Sequence, residues 1–203
     1  MQLSRDRAPP EKAQGVVASA FHFHAPLDSL SLSMYQELKT ERLVIRPFAS
    51  SDAPAYLRLA HDIGFNVFSV PGSLWVPDEA AALRRLEPWI ELAQSRGLGK
   101  WLVLERSSGE AVGIAGLNPF DFEGREEIEI GYRFRLASWG LGYASEAGRA
   151  CLKHGLEALK LPRIFAFAVP QNAGSIAVMA KIGMRLHGPF QYSGSPHELY
   201  VAP

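Results

Sequence analysis

The chain has 203 residues, 47% of them apolar and 21% charged, enough for one domain with a sizeable core and too apolar for a disordered chain. Its formal charge of zero gives no field for general nucleic-acid binding, and no apolar run approaches the ~20 residues that span a bilayer. Neither a nucleic-acid nor a membrane partner is expected, and a cytoplasmic protein is the default. The lone cysteine, Cys151, excludes an internal disulfide and a cysteine-based zinc site.

Residues 1–33 mix Pro9-Pro10, small residues and a serine-rich end (Ser29, Ser31, Ser33) without periodicity. They are expected to be disordered or an over-called extension, with Met34 as a candidate start and the domain spanning 34–203. The apolar run at Gly15–Ala20 is too short for a signal peptide. His22 and His24 lack a third ligand, so no metal is expected. Leu43–Arg46 reads as a strand closed by Pro47. Ser51 is a candidate N-cap, with Asp52 in the first turn and Pro54 early in a helix that runs to about His61, a solvated end residue.

Residues 62–76 form an aromatic loop with Phe65, Phe68 and Trp75, turning at Pro71-Gly72. Pro77 or Asp78 opens a second helix with an apolar stripe of Ala82, Leu83, Leu86, Ile90 and Leu92. Pro88 should kink it and Gly97 ends it. Trp101–Glu105 and Ala111–Leu117 flank Ser107-Ser108-Gly109, a hairpin signal. Asn118–Glu126 reads as a polar connector. Glu127–Phe134 then alternates: Glu127, Glu129, Gly131 and Arg133 on one face, Ile128, Ile130, Tyr132 and Phe134 on the other. That is the period of a half-buried strand.

After Gly142, residues Ala144, Ala147, Cys151, Leu152, Leu156 and Leu159 give a helix an apolar face, which assigns Cys151 to packing. Leu161-Pro162 breaks the chain and Ile164–Val169 is a buried strand. Ala173–Ile182 is a helix ended by Gly183, Gly188–Pro196 a loop, and Glu198–Val201 the last strand.

The strand at 127–134, the glycines Gly140 and Gly142 and the following helix start make an anion site. First-turn N–H groups have no internal partner, and glycine lets a phosphate come close. Three loops compete for that description. A Walker loop needs Gly-Lys-Ser/Thr, and Tyr143-Ala144 follows Gly142 instead. A dinucleotide fingerprint needs Gly or Ala where Ser145 stands, and an acid about 20 residues on, which Val169-Pro170-Gln171 does not supply. An acyl-CoA loop, Gln/Arg-x-x-Gly-x-Gly/Ala, fits at Gly142 and Ala144. No Gly-x-Ser-x-Gly elbow of an α/β hydrolase occurs.

Glu129-Ile130-Gly131-Tyr132 followed by Trp139-Gly140-x-Gly142-Tyr143-Ala144-Ser145-Glu146-Ala147 resembles the RimJ/RimL-type branch of the GNAT N-acetyltransferase superfamily. Thr40-Glu41-Arg42-Leu43-x-Ile45-Arg46-Pro47 is similar to that branch's opening strand. Asn172-x-x-Ser175 and Lys181-x-Gly183-Met184 are similar to its last βα unit. The similarity covers about residues 38–202. It implies an α/β (α+β) fold with a mixed, mostly antiparallel sheet, in the order β-α-α-β-β-β-α-β-α-β-β, splayed at the acyl-CoA site. Two departures stand out. Trp139 occupies the position of the superfamily's Arg/Gln, and Arg135-Leu136 replaces an Asp-Pro.

The resemblance implies acetyl transfer from acetyl-CoA to a primary amine in a ternary complex, by a monomer or homodimer. The acceptor is open: a protein N-terminus, an amino acid or a small amine. The cofactor is expected along Tyr132, Phe134, Arg135, Trp139, Gly140, Leu141, Gly142, Tyr143, Ala144, Ser145 and Asn172, with a backbone N–H near Phe134 as oxyanion donor. Glu129, through a water, is the first candidate base, with Glu127 second. Both could instead be solvated or pair with Arg125 or Arg133. An α-amine with pKa near ~8 is already roughly a tenth neutral at pH 7, so a weak base would suffice. The superfamily's helical tyrosine falls near Met179, which cannot donate a proton. Ser175 is the remaining hydroxyl, and the resemblance to the Rim-type branch implies such a serine at the leaving thiolate; it could instead be a helix-start residue. Asn172 should bond the pantetheine arm or cap that helix. The alternatives are a non-catalytic acyl-CoA sensor and a nucleotide- or dinucleotide-binding enzyme.

Overall fold

The computed structural model describes residues 37–69 and 74–202. The expectations for residues 1–33, and the turn at Pro71-Gly72, lie outside them. The alternating segments assemble as β1 (Leu38–Lys39), β2 (Leu43–Arg46), β3 (Gly99–Glu105), β4 (Ala111–Phe122), β5 (Arg125–Phe134), β6 (Ile164–Ala168), β7 (Arg185–Tyr192) and β8 (Ser195–Ala202). They form one sheet in the order β1-β2-β3-β4-β5-β6-β8-β7. Only β5 and β6 pair in parallel, whereas a dinucleotide-binding fold is built on a mostly parallel sheet.

Helices cover both faces. α1 (Ala53–Ala60), α2 (Ile63–Asn66) and α3 (Glu79–Arg96) bury Tyr56, Phe65 and Leu86 with Leu102 of β3 and Ile114 of β4. On the other face α4 (Tyr143–Lys153) and α5 (Ala173–Lys181) bury Ala147, Cys151 and Met179 with Ile128, Ile130 and Phe134 of β5. Burial in that core pushes the Cys151 thiol up to about 12, so it is an inert packing group. Asp78 caps α3 by accepting from Ala81 N at 2.7 Å, and Pro88 leaves the helix continuous.

Three expectations are corrected. Ser51 caps nothing; Asp52 holds the N-cap position of α1, and its carboxylate accepts from Ala49 N at 2.8 Å. Asn118–Glu126 is no connector, because β4 continues to Phe122 and turns at Glu123-Gly124 into β5. Gly188–Pro196 is no loop, because β7 and β8 meet at Ser193-Gly194. In both hairpins the local sequence is polar and interrupted by Pro or Gly. The strands are held by aromatic packing from far along the chain: Phe120 of β4 contacts Phe165 of β6 and Phe190 of β7.

The sheet opens at one seam. β5 and β6 are in register only at Glu129↔Phe165, and no further ladder pair joins the two strands. This is the expected split.

Arg46 anchors the start of the fold through a two-pronged pair to Asp52, Nη1–Oδ2 2.7 Å and Nη2–Oδ1 2.8 Å. Burial by itself would raise the Asp52 pKa, but the bonds from Arg46 and the Ala49 N–H outweigh it and hold the carboxyl below its ordinary value. A depressed carboxylate stabilises the fold above its unfolded pKa, and that stability is lost as pH falls through the folded value. Asp52→Asn should therefore cost about 2 kcal/mol at pH 7, a fall of about 4–8 °C in melting temperature. In urea titrations the gap from the unmodified protein should close as pH drops below ~4.

Candidate functional site

The anion cradle forms where α4 begins. Gly142, the N-cap, has φ +82° and no side chain caps the helix. The N–H groups of Tyr143, Ala144 and Ser145 therefore point out with the positive end of the helix dipole. A Cβ on Gly142 would meet only the Arg42 guanidinium, at 3.4 Å, and one on Gly140 would meet nothing, so the approach is open.

Glu146, in the same first turn, would repel an anion, but it is fully engaged. Thr40 Oγ1 donates to its Oε1 at 2.6 Å, Arg42 N to Oε1 at 2.8 Å, and Arg42 Nε to Oε2 at 2.8 Å. Burial would raise its pKa, yet these bonds hold it below the ordinary carboxylate value. Arg42 also donates through Nη1 to the Leu141 carbonyl at 2.9 Å and lies 4.9 Å over the Tyr143 ring. Tyr143 in turn donates to Glu105 Oε1. Sequence reasoning missed this clamp, although Thr40 and Arg42 stand in a motif it had singled out.

A cleft of about 400 Å³ leads inward from the cradle. Tyr132, Phe134, Trp139, Gly140, Gly142, Tyr143, Ala144, Ser145, Asn172 and Ser175 all line it. Trp139 is tied to the strand end, its Nε1 donating to Phe134 O at 2.9 Å, and its ring stacks on Phe68 at 6.4 Å. The aromatic loop is brought there by Asp62, which accepts from Gly64 N in α2 and from Leu136 N after β5, both at 2.8 Å. Arg135 and Leu141 stand outside the cleft. Arg135 pairs with Glu110 at 2.7 Å, and the Leu141 side chain is exposed.

The inner end of the cleft is the seam between β5 and β6. Arg135 N bonds Val112 O, so in an antiparallel pair Arg133, Gly131 and Glu129 direct their backbone groups to β4 as well. The N–H groups of Tyr132 and Phe134 then face the opposite way, into the gap. The Tyr132 hydroxyl donates to Ser175 O at 3.1 Å and lies 3.2 Å from Ser175 Oγ. Burial pushes the Tyr132 pKa up to about 12. Asn172 caps α5, its Oδ1 accepting from Ser175 N at 3.0 Å.

A second cleft, of about 440 Å³, opens on the α1–α3 side and shares Phe68, Tyr132, Arg133, Asn172 and Ser175 with the first. The two thus meet through the seam. Glu129 lines the second cleft, with Oε1 accepting from Lys100 Nζ at 2.7 Å. Lys100 reaches it across Gly131, where a Cβ would collide with the ammonium. Glu127 pairs instead with Arg163, Nε–Oε2 3.1 Å. Neither carboxylate pairs with Arg125 or Arg133. Lys100 was not anticipated, because its neighbour in space is 29 residues away. His61 is exposed, bonded to Val76 O at 2.7 Å and stacked on Trp75. Among the described residues no cluster of His, Cys, Asp and Glu could hold a metal, and no helix is long and apolar enough to cross a membrane.

Comparison with known proteins agrees with this geometry. Residues 42–185 match the family described as acetyltransferase (GNAT) domain. An uncharacterized N-acetyltransferase of Bacillus subtilis (strain 168), YnaD, is 30% identical over 154 residues, which make up 76% of this chain and 85% of that protein. The crystal structure of a GNAT-family acetyltransferase from Bacillus anthracis is 28% identical with a TM-score of 0.67, covering 82% of this chain and 98% of that one. RimL, a ribosomal L7/L12 alpha-N-protein acetyltransferase solved with coenzyme A, shares the fold at 20% identity, with a TM-score of 0.70 over 82% of this chain and 97% of its own.

Arg42→Ala should release the Leu141 carbonyl and leave Glu146 facing the cradle. Calorimetric titration should show coenzyme A binding weakened by about tenfold, the scale of a lost charge-assisted bond.

Proposed function

The chain belongs to the GNAT acetyltransferase family, and on that premise we propose that it moves the acetyl group of acetyl-CoA directly to a primary amine at the β5–β6 seam. The observation that carries this reading is the meeting of two clefts at Tyr132 and Ser175, one leading to an uncapped helix start and the other to Glu129. The diphosphate rests on the N–H groups of Tyr143, Ala144 and Ser145. The pantetheine arm runs along Phe134 and Trp139 toward Asn172. The acceptor enters from the Glu129 side.

The neutral amine attacks the thioester carbonyl. A C–N bond forms, the carbonyl electrons move to oxygen, and the backbone N–H groups of Tyr132 and Phe134 are placed to receive that charge. The C–S bond then breaks and the amine proton leaves by way of a water to Glu129. Lys100 fixes one oxygen of that carboxylate, so the other serves the water.

Magnitudes decide the part played by Tyr132. A phenol near 12 cannot give its proton outright to a thiolate whose conjugate acid lies near ~8.5. It can donate a hydrogen bond. Tyr132 and Ser175 carry two hydroxyl hydrogens between them, and the Ser175 carbonyl takes one. The other, that of Ser175, is available to the departing sulfur, which is finally protonated from solvent.

Acetyl-CoA should raise the melting temperature, and amines should release free thiol. Protection by NAD but not by acetyl-CoA would overturn the assignment. With saturating substrates, Glu129→Gln and Ser175→Ala should each lower kcat by about 10–100-fold, with Tyr132→Phe, which loses the bond to the Ser175 carbonyl, weaker. Unchanged rates would remove these groups from the chemistry.

A further inference from the structure

We infer that the acceptor is a free α-amino acid with an apolar side chain, its carboxylate held by Arg133 beside Lys100 and its amine turned toward Glu129. This rests on the acetyl-transfer function proposed above and names the substrate of the same site.

Arg133 lies on the Glu129 face of β5 and lines both clefts where they join. It is half-buried, and burial works against its charge, partly offset by Glu129 and Tyr56. Among the described residues it has no ion-pair or hydrogen-bond partner; the nearest carboxylate on its face, Glu129, is engaged by Lys100. An arginine cannot shed its proton, so a guanidinium in this position is completed by an anion that arrives with the substrate.

The charged side chains lining the acceptor cleft are Lys100, Arg133 and Glu129, two cations and one carboxylate. Gly131 is the floor between them, and its missing Cβ brings the Lys100 ammonium over the space between Glu129 and Arg133. A substrate that carries a carboxylate next to its amine satisfies both signs at once. A peptide N-terminus presents a neutral amide there and leaves Arg133 unanswered. A polyamine presents a second cation to two cations. The remaining wall has no further carboxylate; its serines and His197 stand beside Phe68, Leu74, Trp89, Phe167 and Tyr192, and these five large groups suit an apolar side chain.

The test uses the full chain with saturating acetyl-CoA and measures thiol release. Acceptors are phenylalanine, leucine and methionine, their amides, a peptide beginning with phenylalanine, 2-phenylethylamine and spermidine. The acids should exceed their amides in kcat/KM by about 30-fold, the scale of a charge-assisted pair. The amide amine is less basic and so more often neutral, which biases against this result. Arg133→Gln should erase the acid preference while the KM for acetyl-CoA moves less than about threefold, and Arg133→Lys should restore part of it. Amides, peptides or plain amines turned over as well as the acids would overturn the inference while leaving acetyl transfer standing. So would acetyl-CoA binding without turnover of any amino acid. Failure of acetyl-CoA to bind would overturn the acetyl-transfer function itself. The acid-to-amide ratio of the unmodified enzyme decides the matter even if the Arg133 variants do not fold.

Discussion

The structure depends on a sheet that stops hydrogen bonding to itself. β5 and β6 pair only at Glu129↔Phe165, so the N–H groups of Tyr132 and Phe134 have no neighbouring strand to satisfy them. Unpaired backbone groups in a protein interior are costly unless something else bonds them. Here they face a cleft, and a ligand laid along β5 would act as the missing strand. In the proposed reaction the same parting would give the acceptor a way through from the other face. A sheet that stayed zipped would leave two shallow depressions separated by a wall.

The second constraint is the uncapped start of α4. Most helix starts borrow a side-chain oxygen to bond their first N–H groups. This one has a glycine in the left-handed region, and the acid in its first turn is held aside by Thr40 and Arg42. The clamp reaches from the turn between β1 and β2 to the loop between β5 and α4, so two segments far apart in the chain cooperate in keeping one patch of backbone bare. Trp139 contributes differently from the Arg or Gln it replaces. It offers no charge to a phosphate, and it ties the loop to Phe134, fixing the distance between cradle and seam.

The acceptor side has its own logic. Lys100, Glu129 and Arg133 come from β3 and β5, and the glycine at 131 lets a long side chain lie over the sheet between them. With one carboxylate for two cations, the patch attracts an anion before it attracts an amine. On the proposed reading, that sets the chemistry of what would dock beside Glu129 more narrowly than the aromatic wall does.

Much of this could be read along the chain. Alternation in 127–134, the glycine pair before an amphipathic helix and the motifs at 40–47 and 172–184 are local patterns. They determined the fold class, the family and the cradle, because period and turn chemistry act over a few residues. The long hairpins at 123–124 and 193–194 were not legible, since their strands are polar and glycine-broken and owe their form to Phe120, Phe165 and Phe190 meeting across the sheet. Nor were the Lys100–Glu129 pair, the Arg42–Glu146 clamp or the exposure of Arg133 to both clefts. Each joins residues tens of positions apart, or depends on where two strands diverge. Electrostatic partnership falls off with distance in space and takes no account of separation in sequence, so only the folded chain could decide it.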